Sequence, residues 1–174
     1  MGAVPVERAA RLPESVTVVD ALAEFDEHCP PGTVIATNTS ALPVDHLAAA
    51  LTRHPERFLG AHFFFPAPRE PLCEMQRGSA TAAWALRGAR DVIESWGMRC
   101  LVIDGTVAGS VASRLFGVLV AEAMRLRGAG AATAEDIDLL CEQGLGQAMG
   151  PLRSMELIGR DTVLRAMRHG GLRP

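Results

Sequence analysis

The side chains able to move protons, bind metals or attack carbonyls are few and scattered: five histidines, four cysteines and a short acidic cluster in 174 residues. His62 stands apart because it lies inside the apolar run 58–64, FLGAHFF. An imidazole titrates near neutrality and can serve as a general base. Taken alone, a single histidine in such a run reads as a satisfied core residue. His28, His46, His54 and His169 fall near expected helix ends and carry no assigned role. Cys29, Cys73, Cys100 and Cys141 form no C-x-x-C pair and read as small hydrophobes. Glu135, Asp136 and Asp138 open an expected helix, where anions are favoured, so they read as a charge cluster and not a metal site. No metal ligand set is expected.

The elements that must position these groups follow from periodicity. Residues 15–28 place Val19, Leu22 and Phe25 at helical spacing, and Pro30, Pro31 and Gly32 end that helix. A short buried strand over 33–37 follows, then a turn at Asn38-Thr39-Ser40 and a helix over 43–52. The run 58–64 suits a strand buried on both faces, the prolines at 66, 68 and 71 a loop or strand edge, and 72–75 another strand. A helix over 79–96, with Trp84 and Trp96 expected as core anchors, leads to the strand 99–104. This alternation predicts an α/β sheet. Beyond 105–109 the pattern turns helical: 110–127 with Leu115, Val118, Leu119, Ala123 and Leu126 at periods of three and four, 134–143 with Thr133 as N-cap, and 151–168.

Composition narrows the function classes. The sequence is 48% hydrophobic with a net charge of −3, which excludes a disordered chain and gives no basic footprint for nucleic acid. No apolar run reaches the ~20 residues of a membrane span, and the first residues lack a signal-peptide core. A cytoplasmic protein with no membrane partner is expected.

Three stretches, taken together, resemble the 3-hydroxyacyl-CoA dehydrogenase family: PPGTVIATNTSALPV (30–44), RFLGAHFFFPAPREPLCEM (57–75) and AEDIDLLCEQGLGQAMGPLRSMELIG (134–159). The family patterns read PPG-x-x-x-ATNTSSL, RF-x-G-x-HFFNPVP…L-V-E and EDID…G-x-G-x-x-MGP. The resemblance implies a remnant of a doubly wound, Rossmann-like α/β domain (1–106) followed by an all-helical part (107–174) that forms dimer contacts and a pocket wall. It implies that His62 is the catalytic base, that Glu74 orients it and supports its charge, and that Ser40 hydrogen-bonds the substrate oxygen. Asn38, Phe65, Ser113 and Arg114 fall at substrate-binding positions.

Departures from the family shape the functional expectation. The family asparagine of HFFN is Phe65 here, and that of P-G-F-x-x-N-R is Ser113. No Gly-x-Gly-x-x-Gly run occurs, and Gly128-Ala129-Gly130 and Gly144-Leu145-Gly146 lie between expected helices, not after a strand. On this comparison the chain reads as a member shortened at both ends, without the NAD-binding half and the C-terminal tail. The favoured expectation is therefore a repurposed enzyme without cofactor. It would perform NAD-independent acid–base chemistry (dehydration, isomerisation or cyclisation) on a β-hydroxy, β-keto or polyketide-like acyl substrate. A dehydrogenase that gains NAD through a partner, and a non-catalytic dimerisation module, are the alternatives. A homodimer built on helix 110–127 is expected from apolar surface left uncovered.

Overall fold

A computed structural model describes residues 18–64, 71–104 and 109–171. Four strands, β1 (Ile35–Thr37), β2 (Phe58–Phe63), β3 (Leu72–Arg77) and β4 (Arg99–Asp104), form one sheet in that order. β1 and β3 run parallel to β2 and β4 respectively, whereas β2 and β3 are antiparallel. The sheet is thus mixed, and its antiparallel centre puts His62 directly across from Glu74.

Each face of the sheet is covered by a helix whose inward residues are apolar. On one face α3 (Ala83–Ser95) presents Ala85, Ala89 and Ile93 to Leu59, Ala61, Cys73, Met75 and Cys100. Small residues at i and i+4 let the helix approach closely. The two tryptophans are not core anchors. Trp84 lies off the Ala85–Ala89–Ile93 stripe, Trp96 occupies the C-cap beyond the packed turns, and Trp96 is 64% exposed. Three of the cysteines are buried as expected, and Cys29 is half-buried.

On the other face, α1 (Val18–His28) and α2 (Val44–Ala48) contribute Leu22, Val44 and Leu47, which pack with Leu51 and Phe58. Phe25 faces outward. Leu22 and Asp26 instead define the inward side of α1. There the fully buried Arg57 gathers the backbone oxygens of Phe25, Asp26, Cys29 and Pro30, together with the Asp26 carboxylate at 3.0 Å. Asp26 also accepts the amides of Arg53 and His54. This pair ties the end of α1 to the start of β2.

The helical part comprises α4 (Val111–Gly128), α5 (Ala134–Leu139, continued by a π turn at Leu140–Gly144), α6 (Pro151–Ile158) and α7 (Arg160–His169). Its core joins Val120, Ala123, Ile137, Leu152, Met155, Val163 and Met167. The inward stripe of α4 is Gly117, Val120 and Ala123, and of the apolar residues spaced at three and four Leu115 and Val118 are exposed. The expected single helix 151–168 breaks at Gly159, whose φ is 103°. Thr133 caps α5 through the Asp136 amide, as its sequence predicts. Asp138 is not part of that N-terminal cluster. It is buried and accepts the amides of Leu152 and Arg153 at the start of α6, and it fills the space a side chain at Gly150 would need. Among the described residues no group of acidic, histidine or cysteine side chains could hold a metal ion, and no helix is long and apolar enough to cross a membrane.

Candidate active site at the junction of sheet and helices

The site is assembled by three chain segments, each fixed by its own backbone chemistry. The first is the loop after β1. The Asn38 side-chain oxygen accepts the Phe63 amide at 2.9 Å, and Thr39 Oγ1 accepts the Leu42 amide at 3.1 Å. The Ser40 carbonyl accepts the Ser110 amide at 3.3 Å. Gly109, at φ 78°, lies beneath Ser40, where an added Cβ would come within 2.7 Å of the Ser40 carbonyl oxygen. These contacts aim the Ser40 hydroxyl at His62 Nε2, 3.0 Å away.

The second segment is the β2–β3 pair. His62 and Glu74 are register partners on antiparallel strands, and both are buried. They share no hydrogen bond: His62 Nδ1 is buried without a partner among the described residues. Burial, opposed by the nearby Glu74 charge, holds the His62 imidazolium below its ordinary range. The negative field of Glu74 favours the neutral tautomer with its proton on Nδ1. Nε2 is then a lone-pair acceptor for the Ser40 hydroxyl. Phe64 packs edge-on against the ring, with centroids 5.1 Å apart.

The third segment is the start of α4. The Glu74 carboxylate accepts the amides of Val111 (2.6 Å) and Ala112 (3.2 Å), so a strand residue caps the first helix of the helical part. Ser110, fully buried, accepts the Ser113 amide at 3.0 Å and donates its hydroxyl to Ser113 Oγ at 2.7 Å. Helix N-termini leave their first amides unpaired, and here two of them converge on Glu74 and a third on Ser110.

Asn38, Ser40, His62, Ser113 and Arg114 open onto one cavity of about 1030 Å³ between the sheet and the helices. Leu115, Phe116 and Leu119 from α4, with Leu157, Val163 and Met167 from α6 and α7, make its wall mostly apolar. Arg114 also donates to the Gly170 carbonyl at 3.1 Å, which joins α4 to the end of α7. Phe65 lies outside the described residues. Glu74 touches the site from behind His62 and does not line the cavity.

Sequence models described as "3-hydroxyacyl-CoA dehydrogenase, NAD binding domain" and "3-hydroxyacyl-CoA dehydrogenase, C-terminal domain" match residues 12–106 and 109–173. This chain belongs to the 3-hydroxyacyl-CoA dehydrogenase family. Among curated relatives, the 3-hydroxyadipyl-CoA dehydrogenase of Escherichia coli is 38% identical over 80% of the chain and 29% of its own length. The 3-hydroxybutyryl-CoA dehydrogenase of Mycobacterium tuberculosis is 39% identical over 76% of the chain and 46% of its own length. Among solved structures, the (S)-3-hydroxybutyryl-CoA dehydrogenase of Ralstonia eutropha superposes with a TM-score of 0.77 at 30% identity, over 90% of the chain and 55% of that structure. The chain thus spans about half the length of these relatives, or less.

Membership corrects two expectations. Residues 12–106 match an NAD-binding domain, which overturns the expectation of no cofactor. The relatives are named as dehydrogenases, which overturns the expectation of NAD-independent lyase, isomerase or cyclase chemistry. Both expectations follow from the missing glycine-rich run together with Phe65 and Ser113, and the match over 12–106 outweighs these departures. Sequence reasoning also missed Gly109 and Ser110, which set the Ser40 loop and the start of α4.

Proposed function

We propose that this chain supplies the acid–base centre and acyl cavity of an NAD-dependent 3-hydroxyacyl-CoA dehydrogenase. The observation that carries the proposal is the run Ser40–His62–Glu74, with its hydroxyl and imidazole opening onto the cavity. In this reading His62 Nε2 takes the proton of the substrate 3-hydroxyl, which replaces Ser40 as its partner or shares it. Ser40 holds the substrate oxygen 3 to 4 bonds from the thioester, and Glu74 stabilises the imidazolium through its field. Arg114 and Ser113 border the acyl end.

The residues present suit the nicotinamide end of the cofactor. Asn38 and Ser40 follow the carboxyl end of a strand parallel to its neighbour, where open α/β sheets take ligands, and the cavity opens beside them. Bound there, NAD⁺ would supply the acceptor for the hydride that leaves the substrate C3. The proton of the same carbinol would pass to His62 Nε2, leaving an imidazolium in the field of Glu74 as the alcohol carbon becomes a ketone carbon.

The test is NADH formation by the full chain with NAD⁺ and a series of 3-hydroxyacyl-CoA thioesters, 3-hydroxybutyryl-CoA first. The expected result is thioester-dependent turnover that His62→Asn lowers by roughly 10²–10⁴-fold, the range for a general base. Turnover equal in both proteins would overturn the assignment.

We also propose that the chain self-associates through α4, whose Val118 is exposed one turn beyond Leu115, itself exposed although it also lines the cavity. Large apolar groups side by side on a helix favour association. Sedimentation velocity over a dilution series should show a dimer that Val118→Glu dissociates, and a monomer at all concentrations would refute this.

A further inference from the structure

Gln76 is a buried amide with no role in the chemistry described above. It lies on β3 two residues beyond Glu74, on the same face, and both side chains are almost fully buried. Its register partner on β2 is Gly60. A Cβ added at Gly60 would come within 3.0 Å of Gln76 Cβ and 2.9 Å of a Val44 methyl, so the strand opposite is bare where the glutamine passes. Gln76 Nε2 points to Glu74 Oε1 at 3.4 Å, the same oxygen that accepts the Val111 amide. Three donors therefore converge on the carboxylate, while Nδ1 of His62 stays unpartnered.

A buried polar side chain persists where it is satisfied, and a carboxylate turns toward the side offering the most donors. We propose that Gln76 is a positioning residue, whose amide keeps the Glu74 carboxylate on the first amides of α4 and off Nδ1 of His62. Glu74 then acts on His62 through space and not through a shared proton. The base keeps a weaker hold on its proton than a directly bonded pair would have.

Among the described residues, the charged groups around His62 are Glu74 from β3 and Arg114, which shares the cavity from α4; Asn38, Ser40, Phe64 and Ser113 are uncharged. Removing the Gln76 amide leaves Oε1 with the Val111 amide as its one donor and frees its second lone pair for Nδ1. This favours the imidazolium.

The experiment is an imidazole ¹⁵N and ¹³C NMR titration of the full chain, comparing wild type with Gln76→Met and with Gln76→Asn, whose shorter amide falls short of Oε1. The His62 midpoint is expected to rise by roughly 0.5–1 unit in either variant. A midpoint that stays in place or falls in a folded variant overturns the proposal. Gln76→Asn keeps the test available if the apolar variant does not fold, and a purely structural amide would change the melting temperature without moving the midpoint. The inference rests on the proposed base role of His62 only for its kinetic consequence, a matching rise in the acidic limb of kcat/KM. The NMR midpoint needs no turnover, so failure of the dehydrogenase reading would show separately, as wild-type protein that forms no NADH.

Discussion

Glu74 stands opposite His62 across two antiparallel strands, yet its carboxylate is bonded to the amides of Val111 and Ala112 and not to the imidazole. One anion therefore serves two neighbours. To His62 it gives a field that steadies positive charge, and to α4 it gives the cap that the helix start lacks.

Replacing that anion separates the two services. Glu74→Gln keeps the volume and one acceptor while removing the charge. Loss of a charged hydrogen-bond acceptor at a buried helix start costs about 1.5–3 kcal/mol, readable in urea unfolding. Loss of the field lowers the His62 midpoint further in an NMR titration. An unchanged midpoint would mean that Glu74 serves α4 alone.

Acid should weaken the fold through His62. Burial holds its folded-state value below 6.5, opposed by Glu74, so the unfolded chain takes up a proton first as pH falls. The neutral ring's contribution is complete above the unfolded value of 6.5 and is lost as pH drops through the window down to the folded value. Urea midpoints measured from about pH 7.5 to 5 should decline, and His62→Gln should flatten part of that decline. An identical slope in the variant would count against it.

Gly109 holds Ser40 in place by being small and left-handed. Its φ of 78° and the closeness of the Ser40 carbonyl leave no room for a Cβ. Gly109→Ala should cost about 1–3 kcal/mol and displace the loop, so that the Ser40–His62 hydrogen bond is lost. Kinetically the variant should resemble Ser40→Ala. A variant as stable as wild type, with unaltered kinetics, would show that the loop is set elsewhere.

The Arg57–Asp26 pair is fully enclosed. Arg57→Met leaves the Asp26 carboxylate without its partner and should cost roughly 3–5 kcal/mol, whereas Arg57→Met with Asp26→Leu should recover much of that loss. The comparison is made by thermal unfolding. A double variant no better than the single one would indicate that the arginine's bonds to four backbone oxygens outweigh the pair.

Much of this architecture is legible in the residues. The strands around 35, 60, 74 and 102, the switch to helices near 105–109, and the Thr133 cap follow from period and capping chemistry alone. His62 and Glu74 are different. They lie twelve positions apart, and only an antiparallel pairing brings them together, which no local pattern encodes. The tryptophans failed as anchors because α3 packs through its alanines, where closeness outweighs size. The spacing of Leu115 and Val118 does not say which way they face, because several registers of an apolar-rich helix satisfy it, and the small Gly117 sets the one α4 takes. The cofactor is different again, because a missing glycine-rich run and the changes at Phe65 and Ser113 say less than the segments present, which match an NAD-binding domain over 12–106.

Asp138 supplies a last consequence. Its carboxylate occupies the volume above Gly150, whose φ of −65° any residue could adopt. That glycine, in the M-G-P run that helps to mark the family, is held there by crowding. Substituting it would unseat the start of α6 without touching a reacting atom. A signature residue of an enzyme family can thus record the shape of the scaffold and say nothing about the reaction.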